Sequence, residues 1–275
     1  LQMAMHDSAD LVERYALVEE VEAGLAAGNG AYKTQVGDYR LTCTAQNGVA
    51  TLLFENELLL TELRRYKANG GKVAVIGQPV VGSVPDDGFH TVPVPNRQLS
   101  LQLAADLAGA GHRRFLILAG PEGLATSDDR VSGFQDGLIQ AGLEPAEVRR
   151  SRFNRDGGYD AAVMLARELS AGTAPFPAGS GGGPAVCVFA ASDVMAIGAI
   201  AGLREHGLRI PEDVAVAGFD DIETLRDFTP ALTTAQLPLS NLGREAVSRV
   251  LSEEAPKVPF VAEGHIILRR STESS

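Results

Sequence analysis

The sequence predicts an α/β protein whose parallel sheets carry helices on both faces. Two observations predict it. Short apolar runs such as Phe115–Ala119 alternate along the chain with amphipathic stretches of helical length. Strands alternating with helices in this way build parallel βαβ units, and a strand buried on both faces reads as a continuous apolar run. The second observation is the segment 185–236, where a strand, a helix and another strand follow one another with polar residues just past both strand ends. Small molecules bind outside the carboxyl ends of the strands in open parallel sheets, so this segment marks a rim as well as a fold.

Composition bounds the alternatives. The chain has 275 residues, enough for one large domain or two modest ones at about 150 residues each. Hydrophobic residues make up 45% and charged residues 21%, which are globular values, and disorder is not expected. Apolar runs reach about eight residues, far short of the ~20 that a membrane helix needs. No basic segment leads into an apolar one near Leu1, so no signal peptide is expected. The net charge is −11. A duplex-binding surface needs several phosphate-neutralising Lys or Arg residues, so DNA contact is expected only through a segment absent from this chain. Cys43 and Cys187 lie far apart, and Cys187 stands in a buried-strand pattern, as expected of a core residue in a reduced, cytoplasmic protein. No two His or Cys residues stand at metal-ligand spacing, and no metal or other cofactor is expected.

In chain order, 11–27 places Leu11, Val12, Tyr15, Val18, Val21 and Leu25 at helical spacing, stopped by Gly28-Asn29-Gly30. The pattern at 39–44 alternates like a strand, and 49–54 reads as a buried strand. A helix over 57–67 ends at Asn69-Gly70-Gly71, and a strand follows at 72–77. Helices are expected at 99–110, 130–141 and 159–171, the first two closed by Gly111 and Gly142, with a buried strand at Phe115–Ala119 between the first pair. The glycine-rich run within 172–184 reads as a surface loop. It lacks the Lys-Ser/Thr of a phosphate loop and leads into a strand rather than a helix. A strand, a helix over 194–206, Gly207 and a strand over 214–219 ending in Asp220-Asp221 complete the series.

These strings together carry a resemblance. The segment 185–236 is similar to the effector-binding domain of lactose-repressor/galactose-repressor transcription regulators, which share a fold with periplasmic sugar-binding proteins. Gly111-His112-Arg113-Arg114-Phe115, Asp129-Arg130-Val131-Ser132-Gly133-Phe134 and Gly157-Gly158-Tyr159-Asp160-Ala161-Ala162 agree with it in order and spacing, over roughly 72–272. The resemblance implies two doubly wound parallel-sheet lobes of periplasmic-binding-protein type I. The first would span 1–118 plus a return segment near 232–250, and the second 119–275. The N-terminal lobe is expected to be irregular or incomplete, because only 48 residues precede the strand at 49–54 where the family has two strand–helix units.

The resemblance also implies a function: a ligand-sensing homodimer that binds a sugar or polyol between its lobes and reaches operator DNA through a helix-turn-helix head outside this chain. A solute-binding protein of a sugar transport system is the alternative, and an orphan sensor acting on a protein partner is a third. Sugars are held by charge-assisted hydrogen bonds to hydroxyls and by an aromatic face. Four positions match the family's pocket by their motifs, and a fifth, Gln98, stands where the family often has a polar pocket residue. Arg130 would point into the cleft, or else be a surface arginine in the first turn of its helix. Asp220 would accept hydroxyl hydrogens, or else cap a turn, with Asp221 as its structural partner. Ser192 would face the ligand while Asp193 caps the following helix, although either could be the cap. Phe153, six residues before Tyr159, would stack on a ring or lie in the core. Gln98 follows Val94-Pro95-Asn96, where Pro95 replaces a typical Asp. Catalysis is not expected. Asp220 has no acidic partner across a cleft, no nucleophile elbow occurs, and His6, His90, His112, His206 and His265 mostly lie in turns.

Overall fold

A computed structural model describes residues 31–36, 39–44, 57–77, 89–175, 184–251 and 260–273. The chain divides into two units, Leu1–Val94 with Pro238–Ala262, and Pro95–Leu237 with Glu263–Ser275.

In the first unit β1 (Ala31–Val36) and β2 (Tyr39–Thr44) pair antiparallel, with Val36 opposite Tyr39. The strand read at 39–44 is present, but its pairing departs from the expected parallel sheet. Only two residues link the pair, and a link that short joins antiparallel strands alone. Helix α1 (Glu57–Ala68) then leads to β3 (Ala74–Ile76), which runs parallel to β4 (His90–Val92). The helix read at 11–27 and the strand at 49–54 lie outside the described residues.

The second unit carries α2 (Asn96–Gly109), β5 (Phe115–Ala119), α3 (Ala125–Gln140), β6 (Glu147–Arg150) and α4 (Arg155–Ala171). It continues with β7 (Val186–Ala190), α5 (Asp193–Glu205), β8 (Val214–Asp220) and β9 (Thr233–Gln236). Helix α6 (Leu239–Leu251) returns to the first unit, where its buried stripe Leu242, Ala246 and Val250 meets Ala74 and Val92. Strand β10 (His265–Ile267) closes the second unit's sheet. Residues 179–183 of the glycine-rich run lie outside the described residues.

The six strands lie in the order β10-β9-β8-β7-β5-β6, all parallel except the edge pair β10–β9. Strands β5 and β7 are buried at all five positions. That is why they read as unbroken apolar runs rather than as alternation. Leu116, Leu118, Val188 and Val216 face Ala162 and Leu165 of α4 and Ala196 and Ile200 of α5. On the opposite face Phe134 of α3 stacks on Phe189 at 4.3 Å and meets Phe115 edge-on at 5.6 Å. Each such buried side chain contributes about 1.5–3 kcal/mol relative to exposure. Two glycines of the family motifs set how closely the helices approach. A Cβ on Gly133 would lie 2.1 Å from the Arg97 carbonyl oxygen, and one on Gly158 2.1 Å from that of Met195, so α2–α3 and α4–α5 pack backbone on backbone.

The sheet relocates the expected division at 118/119. That division would detach almost all of β5 from its neighbours, yet β5 pairs with both β6 and β7, so the second unit begins at Pro95. The return segment is likewise Pro238–Ala262 rather than 232–250, because β9 is bonded to β8. Cys187 is free and buried in β7, and burial pushes its thiol pKa far above the usual range. Among the described residues no helix is long and apolar enough to cross a membrane, and no group of three His, Cys, Asp or Glu could hold a metal ion.

Candidate functional site

The carboxyl ends of β7 and β8 lie side by side, because Phe189 of β7 is in register with Ala217 of β8. Both strands release polar residues there: Ser192 and Asp193 after β7, Asp220 and Asp221 at the end of β8. Helix α3 brings Arg130 to the same place.

Arg130 is 1% exposed, which removes the reading of a surface arginine. Its Nε donates to Asn96 Oδ1 at 3.0 Å, Nη1 to the Ala191 carbonyl at 2.8 Å and Nη2 to Asp220 Oδ1 at 2.8 Å. The guanidinium lies 4.0 Å above the ring of Phe219. A buried cation is tolerated when it is paired and its donors are met, and the aromatic face adds attraction. Among the described residues these bonds use three of its five N–H groups.

Asp220 is half-buried, and both it and Asp221 have positive φ, at 118° and 54°. Asp221 serves as a structural anchor: Arg269 Nη2 lies 2.8 Å from Oδ1, and Gln236 Nε2 donates to Oδ2 at 2.6 Å.

The cap of α5 is Ser192 rather than the expected Asp193. Ser192 caps α5, its Oγ accepting from Met195 N at 3.3 Å, with φ −152° and ψ 157°. That extended backbone aims the hydroxyl at the third amide of the helix, as an N-cap requires. Asp193, the first helical residue, caps nothing and turns inward. Its Oδ2 accepts from Ile222 N at 3.0 Å and its Oδ1 from Thr234 Oγ1 at 2.7 Å, with no solvent exposure. Burial, and then the neighbouring Asp220 carboxylate, push its pKa up to about 7.

Phe153 is half-buried just past β6, close to the end of β5. A Cβ on Gly120 would come within 2.8 Å of its ring, and the ring also packs against the α4–α5 core. Gln98 is exposed on α2, and the structure does not bring it to Arg130. Asn96 fills that place instead. Two residues along a helix is a rotation of about 200°, so a two-residue error puts the side chain on the wrong face. The signal that could have found Asn96 is its position directly after Pro95, at the first turn of α2. Arg269, far along the chain, had no local signal at all.

A family model for the periplasmic binding protein-like domain matches residues 104–272, more than half of the chain and all of the cluster except Asn96. The chain belongs to the periplasmic binding protein-like domain family. Relatives of this domain include the HTH-type transcriptional regulator CelR of Thermobifida fusca, 34% identical over 71% of this chain and 55% of that protein. Another is the HTH-type transcriptional repressor PurR of Haemophilus influenzae, 32% identical over 61% of this chain and 49% of that one. A solved structure of a CelR–cellobiose complex matches with a TM-score of 0.65 and 30% identity, over 81% of this chain and 64% of that chain. The resemblance to lactose-repressor-type regulators and the expected α/β fold are thereby borne out, and the transport-protein alternative is not favoured. These relatives are named as transcriptional regulators rather than as enzymes. The chain spans about half the length of the curated relatives it matches.

Proposed function

We propose that this periplasmic binding protein-like domain is the effector-sensing and dimerising part of a transcription regulator, and that its effector is a neutral sugar or polyol. The single observation that carries the reading is the Arg130–Asp220 pair at the carboxyl rim of the parallel sheet. The Asp220 carboxylate reaches solvent and is held in place by a buried cation, so it offers a prearranged acceptor to the hydroxyls of a sugar. Phe153, by the next strand end, supplies an aromatic face. The complex of CelR with cellobiose supports a sugar as the ligand class.

The effector acts by population shift. It changes the regulator only through its different affinity for two arrangements of the protein. A helix-turn-helix head elsewhere in the full protein reads operator DNA as a homodimer in the cytoplasm, and the domain catalyses no reaction. A thermal-shift screen with cellobiose, ribose, other sugars, sugar phosphates and purines tests the reading. A ligand at 100-fold its Kd adds about 2.7 kcal/mol. Stabilisation by a sugar that is lost in Arg130→Ala and Asp220→Ala is expected. A screen in which no sugar or polyol stabilises the chain would sink the reading.

A further inference from the structure

The turn leaving β8 holds two consecutive non-glycine residues, Asp220 and Asp221, at positive φ. Such a backbone is strained and persists only where its surroundings over-determine it. Arg130 fixes the Asp220 carboxylate, while Arg269 and Gln236 fix that of Asp221. Asp193 acts at the far end of the turn. One of its oxygens takes the amide of Ile222, the residue directly after the strained pair, and the other takes the hydroxyl of Thr234 on β9. One carboxyl thus ties the start of α5, the exit of the turn and β9 together. Strand β8 makes room for it, because a Cβ on Gly218 would lie 2.3 Å from Asp193 Oδ1. A carboxyl with no exposure is costly to bury, and here both its oxygens are spent on this turn and on the strand beside it.

We propose that Asp193 is a positioning residue for the binding rim: it locks the Asp220–Asp221 turn through Ile222 and Thr234, and so keeps the Asp220 carboxylate on Arg130. The inference rests on reading Arg130 and Asp220 as the effector-binding pair, and Asp193 itself touches no effector. The charged groups around it are Asp220, paired with Arg130, and Asp221, paired with Arg269. A proton gained or lost at Asp193 is therefore felt at the turn.

The test is made by NMR on the full chain without ligand, on wild type, Asp193→Ala, Asp193→Asn and Thr234→Val. Protection of the Ile222 amide against hydrogen exchange is expected to fall at least about tenfold in Asp193→Ala and at least about threefold in Thr234→Val. The Arg130 Nε–H resonance shifts in both. Asp193→Asn keeps an acceptor for Ile222 and a partner for Thr234, so it retains protection within about threefold. The wild-type Ile222 and Arg130 Nε–H shifts both follow a titration near neutral pH that Asp193→Asn lacks, and a merely structural role would leave Arg130 unmoved. Unchanged protection in Asp193→Ala or in Thr234→Val overturns the proposal. So does an Arg130 resonance that stays in place, or an Asp193→Asn protein that loses protection as Asp193→Ala does. Should Asp193→Ala fail to fold, Thr234→Val carries the same measurement. None of these readouts needs an effector, so a failed sugar screen sinks the ligand reading and leaves this measurement decisive for the positioning role.

Discussion

Arg130 and Asp220, ninety residues apart in sequence, form a 2.8 Å ion pair in which the arginine is 1% exposed and the carboxylate 17%. The inner partner is bonded to Asn96, Ala191 and Asp220, while the outer one still reaches solvent.

Removing either partner should cost both stability and binding. Arg130→Ala strands a carboxylate beside Phe219 and leaves Asn96 Oδ1 and the Ala191 carbonyl without their donor. Breaking a buried pair costs about 3–5 kcal/mol, and urea denaturation reads it. Asp220→Ala leaves the buried guanidinium without its carboxylate, while the Asn96 and Ala191 oxygens stay in place, and costs stability on the same scale. Each change should weaken effector binding by about 1.5–3 kcal/mol in calorimetry. Unchanged affinity in both would remove them from the site.

The pH dependence of Asp193 has a definite sign. Its folded pKa, about 7, lies above the ordinary value of 3.8. The stability it contributes is fully present below the unfolded pKa and is lost as pH rises through about 7. Asp193→Asn removes that loss while keeping the shape. Relative to wild type it should be more stable at about pH 8, by roughly 1–4 kcal/mol, with the difference shrinking toward about pH 4. Denaturation midpoints at several pH values check this, and a variant less stable than wild type at alkaline pH would contradict it.

Ser192→Ala probes the assignment of the cap. As the N-cap of α5, Ser192 should cost about 1 kcal/mol when its hydroxyl is removed, and a few tenths when replaced by Gly. Effector affinity should change little in Ser192→Gly. A large loss of affinity with unchanged stability would return Ser192 to the ligand.

Gly133→Ala and Gly158→Ala test the close helix approach. Each added methyl meets a carbonyl oxygen at 2.1 Å, and the helices must separate to admit it. Overpacking of this kind costs about 1–3 kcal/mol, a Tm drop of several degrees by differential scanning calorimetry.

Much of this protein was legible in its sequence. The unbroken apolar runs of β5, β7 and β8 announced a parallel sheet, because strands covered on both faces need no polar side. The residues just past those strands announced the rim, since chain direction alone fixes which end of a parallel sheet they occupy. Arg130, Ser192, Phe153 and Asp220 stand in such local strings, and the structure joins Arg130 to Asp220. What the strings did not contain was orientation. Whether Ser192 or Asp193 turns inward depends on one pair of backbone angles, and whether Asn96 or Gln98 meets Arg130 depends on where α2 begins. The domain border depended on which strands pair with β5, a contact between distant residues. Arg269 and Thr234 join the site through the return of the chain after α6 and through β9, beyond the reach of any local pattern. Periodicity and strand direction are properties of short segments and were determined by the sequence alone. Partners for buried charges are chosen only when those segments pack, because a carboxylate or guanidinium taken out of water must be met by whatever the tertiary fold places within hydrogen-bonding distance.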